Sequence, residues 1–543
     1  MSSPAGAGEP PSSTGLFTRQ SSGLVRELGV PAATAIALAS VAVVNTFINF
    51  TNGLISFNRP DMVLPLILAA AIWFVAMFAY KYLLQAIPRA GGEYVYVSRV
   101  ISPALGAMVG IGIAVAFTYI LAANAQFTAI FMPFTLTGLG DAFSSSWIAA
   151  GANHVTSKTA VALICVGMML VVGVLSLWSL KRVAQIILGL VVIQLLAFLA
   201  LAVILLTHSH SDFVNSFGSF SHNPNAYNEV LSTAKQHGIA TGISLTASLL
   251  VVPFMVLNYN GVLYSYYVGG ELKRPGRTYI YASVISIALL VVVWVGIWAL
   301  LRWRIGLDFM QSQANLGASD GAAYGKITSL SAPAGGLGYG LVLSGDPITK
   351  ILLAIAVPCA ELAVNLAFVA VITRVLFSLA FDRMLPVGVA KVNDRTHGPI
   401  NATMIALAGG IGFSLLATYL TLANIVANLA LFVALILLAG AVAALLLPWR
   451  RPELIYKPGT NDVERYGGMP KAALAGGLTT ILALIVILLI VTHSSVFGKF
   501  SFSSVTTLVL VLLAGPVIYL IARAVRRGAS INLDLAMREL PPE

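Results

Sequence analysis

Apolar runs alternate with short polar segments along the chain. They lie at about 31–57, 62–84, 104–132, 159–180, 184–207 and 242–270, then 279–303, 349–380, 401–420, 424–447, 470–492 and 503–524. A helix of about 20 apolar residues crosses roughly 30 Å of hydrocarbon, so the pattern predicts an all-α membrane protein with about 12 transmembrane helices. The sixth run is interrupted. From Phe254 to Thr278 it reads FMVLNYNGVLYSYYVGGELKRPGRT, with Asn258-Tyr259-Asn260-Gly261 set inside an apolar stretch. Backbone N–H and C=O groups in hydrocarbon must be satisfied internally, and unwound chain survives there only when buried in protein or lining a water-filled cavity. The break is therefore either a structural kink whose asparagines bond a neighbouring helix or a binding site.

Other mid-span polar residues follow the same logic, because each could have been a leucine and carries a desolvation cost unless it is partnered or faces water. Span 1 carries Asn45, Thr46, Asn49, Thr51 and Asn52, and span 3 carries Asn124 and Gln126. Span 8 carries Glu361 and Asn365, and span 10 carries Asn424 and Asn428. Pairs four apart in spans 1, 8 and 10 share one helix face, which should point inward. Spans 1 and 6 occupy matching positions if the chain is two five-span repeats followed by two extra spans. Five is odd, so the second repeat enters the membrane inverted. Interrupted helices at matching positions of inverted repeats point to a secondary transporter with its site at mid-membrane. Half-helix N-termini favour a carboxylate and freed carbonyls favour an ammonium, a combination that suits a zwitterionic amino acid.

Composition supports the membrane reading. The 543 residues are 58% hydrophobic and 9% charged, with a mean hydropathy of +0.91. The net charge of +11 is spread between spans, which speaks for topology and against a nucleic-acid partner. Of the 31 Lys and Arg, 22 fall on the N-terminal, even-loop and C-terminal side and eight on the other, so both termini are expected in the cytoplasm. Cys165 and Cys359 lie inside apolar runs and offer no disulfide framework. His208, His210 and Asp212 are spaced like metal ligands, but a polar interfacial loop accounts for them and no metal is assigned. The outer segments 208–241 and 304–348 are long enough to cap the outer mouth.

Three stretches carry a family resemblance. Pro88-Arg89-Ala90-Gly91-Gly92-Glu93-Tyr94-Val95-Tyr96-Val97-Ser98-Arg99 follows span 2. Gly269-Gly270-Glu271-Leu272-Lys273-Arg274-Pro275, with Arg277-Thr278, ends span 6. Thr373-Arg374-Val375-Leu376-Phe377-Ser378-Leu379-Ala380-Phe381-Asp382-Arg383-Met384-Leu385-Pro386 ends span 8. In this order and at these places they resemble amino acid permeases of the amino acid–polyamine–organocation superfamily. The resemblance implies the leucine-transporter-type fold of five plus five inverted helices, alternating access and amino acid substrates. The domain plan that follows is a disordered cytoplasmic tail over 1–25 and a ten-helix transport core over 26–450. Two further membrane helices over 451–527 and a cytoplasmic tail over 528–543 complete it.

The expected role is a multi-pass permease of the cell membrane, with an amino acid or amine as substrate and H+ or Na+ as alternative coupling ions. Exchange of amino acids or polyamines is the alternative within the class, and a non-transporting amino acid receptor or a channel the alternative outside it. No cofactor is expected, and no phosphate loop, HExxH or nucleophile elbow suggests an enzyme. Substrate contacts are expected from Asn45, Thr46, Phe47, Asn49, Asn124, Phe254, Asn258, Tyr259, Asn260 and Gly261. Coupling or gating is expected from Glu361, Asn365, Glu93 and Glu271. Two departures from the family pattern bear on this. No glycine lies between Val30 and Asn52, so amides replace the usual glycine-rich break of span 1. Span 5 has Gln185 and Gln194 but no lysine, the residue that stands in for sodium in some proton-coupled relatives, which leaves Glu361 as the buried carboxyl available to carry a proton.

Overall fold

The computed structural model describes residues 23–330, 335–420, 429–455, 464–493, 502–528 and 532–538. Asn424 and Asn428 of span 10 lie outside them. Among the described residues, 11 helices are long and apolar enough to cross a membrane. Span 1 is α1 (Val30–Val41) followed directly by α2 (Val43–Ser56), span 2 is α3 (Val63–Ala86), and a short α4 (Glu93–Val100) precedes span 3. Span 3 is α5 (Pro103–Ala142), whose 40 residues extend about 60 Å, beyond any bilayer. A short α6 (Ser146–Gly151) leads to spans 4 and 5, which are α7 (Lys158–Ser176) and α8 (Leu180–Thr207).

Outside the spans, α9 (His210–Phe220) and α10 (Ala226–Gln236) pack with α14 (Leu307–Ser319), α15 (Gly321–Ile327) and α16 (Gly335–Leu343) into a helical cap. Its core is aromatic: Tyr227 stacks on Phe309 with centroids 4.4 Å apart, and Phe213 meets Phe309 at 5.6 Å and Tyr339 at 5.5 Å. Asn315 donates to the Leu54 carbonyl at 3.2 Å and Gln311 to that of Pro60 at 3.1 Å, which seats the cap on the end of α2. The metal-like spacing at 208–212 is used for capping. Ser209 and Asp212 form the capping box of α9, and the Ser209 backbone and hydroxyl hold the Asp212 carboxyl below its ordinary pKa.

Span 6 departs from the expectation of a helix over 242–270. It is α11 (Leu245–Leu250) and α12 (Val252–Asn258), together about 21 Å long, and the α-helix does not resume. Residues 259–263 form tight turns, followed by 3₁₀ turns at Tyr264–Tyr267 and Gly269–Glu271. Every residue from Asn258 to Leu272 is buried, so the irregular backbone never meets lipid. Its N–H groups are met locally, Val262 N by Tyr259 O at 3.1 Å and Tyr264 N by Gly261 O at 2.8 Å. The remaining spans are α13 (Pro275–Leu301), α17 (Pro347–Phe381), α18 (Ile400–Leu420), α19 (Leu429–Arg450), α20 (Lys471–Thr492) and α21 (Phe502–Gly528), and a short α22 (Leu533–Arg538) follows. A π-helical stretch at Arg302–Gly306 joins α13 to α14 in one run of 45 residues, Pro275–Ser319. The two-residue strands β1 (Arg465–Tyr466) and β2 (Met469–Pro470) make a hairpin between α19 and α20.

Span 1 breaks at a single residue. Ala42 takes φ 51° and ψ 65°, a left-handed conformation that costs a non-glycine residue about 1–2 kcal/mol. Replacing Ala42 with Gly is therefore expected to leave thermal stability unchanged or to raise it by up to about 1 kcal/mol. Ala39→Gly, inside α1, should lower it by about 0.5–1 kcal/mol. Melting curves of the two purified variants test the pair, and equal losses at both positions would contradict a left-handed Ala42.

Candidate functional site

The two breaks touch. Gly261 has φ +106°, and a Cβ there would lie 2.6 Å from the carbonyl oxygen of Ser40, two residues before Ala42. Only glycine meets both the backbone angle and the close approach. The polar groups released at the breaks find specific partners. Thr46 Oγ1 donates to Val41 O at 2.5 Å, and the indole N–H groups of Trp294 and Trp73 donate to Val43 O at 3.1 Å and Val256 O at 3.0 Å. Asn49 on α2 donates to Asn258 Oδ1 at 3.0 Å across the two spans, and Asn258 Nδ2 returns to Phe254 O at 2.8 Å. Tyr264 donates to Asn260 Oδ1 at 2.6 Å. Asn45, Thr46, Asn258 and Asn260 are all buried.

The sequence placed the span 1 interruption at 45–49; it lies three residues earlier, and Asn45 to Asn49 are helical. A left-handed alanine leaves no glycine signature, which is why composition missed it. Asn45, Thr46 and Asn49 therefore stand on the first turns of α2, whose leading N–H groups have no intrahelical acceptor. The aromatic residues form a chain rather than one wall. Tyr259 lies 4.8 Å from Trp294, Trp294 lies 5.5 Å from Phe50, and Phe50 lies 5.2 Å from Phe47. Phe47 turns toward the cap, sharing a narrow cavity with Thr51, Trp298, Gln313 and Tyr339. Phe254 sits at the edge, 6.4 Å from Phe57. Phe50 and Trp294 carry much of this arrangement and read in the sequence as ordinary core aromatics.

Asn124 and Glu361 lie on α5 and α17, which pack against each other. Phe117 packs on Phe368 at 5.4 Å and Thr135 Oγ1 donates to Ala354 O at 3.2 Å, which fixes α5 antiparallel to α17. Asn124 lies seven residues after Phe117, and Glu361 lies seven from both Phe368 and Ala354, which puts both residues near the shared seam. Asn365 Nδ2 donates to the Glu361 carbonyl at 2.8 Å. Both Glu361 carboxyl oxygens, Asn365 Oδ1, Asn124 Nδ2 and Gln194 Oε1 of α8 are buried without a hydrogen-bond partner among the described residues. Gln126, by contrast, ties α5 to α18 through Ser414 O and Thr418 Oγ1, each at 3.4 Å.

The three signature stretches converge at one end of the molecule. Glu271 is buried and forms a forked pair with Arg374 at 2.8 and 3.0 Å, not with the nearby Lys273, Arg274 or Arg277. Arg99 pairs with Asp382 at 2.7 and 2.8 Å, and Tyr94 donates to the same carboxylate at 2.6 Å. Ala90 bridges Val268, Gly91 N donates to Tyr267 O at 3.0 Å, and Leu28 N donates to Glu271 O at 3.0 Å. Glu93 points into this cluster and accepts from Tyr80 at 2.8 Å and from Tyr266. Arg374 and Asp382 belong to a stretch singled out in the sequence, but a partner 103 residues distant, as Glu271 is from Arg374, leaves no mark on local spacing.

Removing one member of a buried ion pair strands the other. Arg374→Ala should destabilise by about 3–5 kcal/mol, while Arg374→Ala combined with Glu271→Ala should lose clearly less than the sum of the single changes. Melting temperatures of the four proteins measure the coupling, and strict additivity would contradict the pairing.

The amino acid permease family model matches residues 31–528, which takes in both breaks, the α5–α17 seam and all three signature stretches. A search of curated proteins finds no significant match. The chain belongs to the amino acid permease family, whose members are membrane transporters and not enzymes.

Proposed function

We propose that the protein carries amino acids across the cell membrane by alternating access, with the substrate held where the broken helices of spans 1 and 6 meet. The observation that carries this reading is the seating of Gly261 on the Ser40 carbonyl beside the left-handed Ala42. Interrupted helices at these two positions suit a five-plus-five inverted repeat. The N-terminus of α2 offers N–H groups to a carboxylate, and the C-terminal carbonyls of α12 and its turn suit an ammonium. Asn45, Thr46, Asn49, Asn258, Asn260 and Gly261 would make the polar contacts. Phe47, Phe254, Tyr259 and Asn124 would bound the side-chain end. Glu271 and Glu93 would act at the inner gate, and the excess of Lys and Arg on one side supports cytoplasmic termini.

Glu361 would couple transport to a proton. It is fully buried, and neither of its oxygens has a hydrogen-bond partner among the described residues. A neutral carboxyl costs far less to keep in such a place than an ionised one. Uptake of a proton from one side and release to the other then accompanies the movement of α17 against α5, with Asn365 beside it.

A ligand that binds the folded state raises its apparent stability, by about 2.7 kcal/mol at one hundred times Kd. An amino acid panel is expected to raise the melting temperature of the purified protein for a subset of its members, and those same amino acids should show counterflow in proteoliposomes. No response to any member would overturn the substrate class. Glu361→Gln should keep counterflow and lose accumulation driven by a pH gradient. Full pH-driven accumulation in that variant would remove Glu361 from the coupling role.

A further inference from the structure

Beyond the span 6 break lies a second buried carboxyl that, like Glu361, forms no ion pair among the described residues. Glu93 opens α4 and is 1% exposed. One oxygen, Oε1, accepts from Tyr80 at 2.8 Å and also from Tyr266, while Oε2 has no hydrogen-bond partner among the described residues. The Tyr96 hydroxyl and Ser265 Oγ are likewise buried and unpartnered among them. Tyrosine rings make up the wall. Tyr80 stacks on Tyr266 at 4.5 Å, Tyr267 on Tyr266 at 4.6 Å, and Tyr96 and Tyr279 lie 6.2 and 6.3 Å from Tyr266.

Among the described residues, Glu93 belongs to no ion pair. Tyrosines of α3, α4, the 264–267 turn and α13 surround it, while Lys81 of α3 lies over the Tyr82 ring, Arg277 of α13 over the Tyr281 ring, and Arg89, four residues before Glu93, interacts with Arg99, Arg26 and Asp382. Among the helices packed on α4, α5 carries only Asp141 near its far end and α19 only Arg450 at its last position. At the end of α17, Arg374 is paired with Glu271 and Asp382 with Arg99. On α22, Asp534 is paired with Arg523. An ionised carboxylate with no ion pair and one unmet oxygen is costly to bury. A carboxylic acid among hydroxyls is not, since each hydroxyl turns to donate or accept as required.

We propose that Glu93 is a proton-binding site on the cytoplasmic side of the break, resting on the transport reading above and separate from Glu361. In the closed arrangement its carboxyl is neutral. When the 264–271 segment parts from α4 and water enters, the proton passes from the carboxyl to that water and the carboxylate is left hydrated. The link to the substrate is short. Tyr264 donates to Asn260 at 2.6 Å, and its ring lies 6.2 Å from that of Tyr266, so substrate at the break and the proton on Glu93 act on the same turn.

Two measurements on the full-length protein test the site. In difference infrared spectra of purified protein taken across pH, one protonated-carboxyl band should disappear in Glu93→Gln and persist in Glu361→Gln. In inside-out vesicles at fixed outer-face pH, amino acid exchange by the wild type should vary with pH on the cytoplasmic face, by up to about tenfold per unit for a single proton. Glu93→Gln should flatten that profile. Tyr80→Phe removes a donor that favours the carboxylate, so it should move the midpoint to higher pH, and it serves where Glu93→Gln does not fold. An unchanged band and profile in Glu93→Gln, or an unchanged midpoint in Tyr80→Phe, overturns the proposal. So does a pH profile that vanishes when choline replaces sodium, because the ligand is then a metal cation. Absence of exchange by the wild type at every pH overturns the transport reading instead, and loss of the band in Glu93→Gln would still support the proton on Glu93.

Discussion

Hydrocarbon supplies no hydrogen bonds, and the chain nevertheless gives up α-helix twice at mid-span. Much of the architecture follows from that constraint. Each break is satisfied partly by its own turn and partly by its neighbours: Thr46 and Trp294 serve carbonyls of span 1, Trp73 serves span 6, and Asn49 and Asn258 bond across the gap. Gly261 makes the contact possible by having no side chain where the Ser40 carbonyl must pass. A break that had to satisfy itself alone would be a defect. Two breaks set against each other form a polar interior whose outer surface is still apolar.

Away from the breaks, the end where the signature stretches converge depends on charge. The three signature stretches are separated by more than ninety residues in the chain, yet they meet through Arg99 with Asp382, Arg374 with Glu271, and the bridge of Ala90 to Val268. Buried pairs of this kind add little net stability over an apolar replacement, but losing one member is severe. They therefore act as latches that hold only when every part is in place. The Glu93 carboxyl takes its hydrogen bonds from Tyr80 and Tyr266 and, among the described residues, forms no ion pair, which sets its chemistry apart from that of its neighbours.

Much of this was legible in the sequence. Run length and polarity identified 11 spans and the interrupted sixth, because the cost of burying a polar group is local and leaves a local mark. The amides of spans 1, 3, 6 and 8 were visible for the same reason. Long-range partnership was not. Glu271 stands out in the sequence as a gating candidate beside three basic neighbours, but its partner shows only when α17 brings Arg374 to it. Trp73 and Trp294 read as core until their N–H groups are seen on carbonyls at the breaks. The left-handed turn at Ala42 uses a residue whose propensity is for helix, so tertiary contacts alone fix it. The extra length of α5 and the joining of α13 to α14 were hidden because helix continues where hydropathy falls.

That last joining has a mechanical consequence. Trp294 grips span 1 by its carbonyl and span 6 through the Tyr259 ring, and along the same helical run, past the π-helical stretch, Gln311 and Asn315 hold the cap onto the end of α2. The run from Pro275 to Ser319 thus ties the two breaks to the cap, and Gly306, with φ +97°, sets the angle between its two parts. Only about 25 Å of this run separates Trp294 from Gln311, so breaks and cap are held by the same element and no separate messenger between them is required.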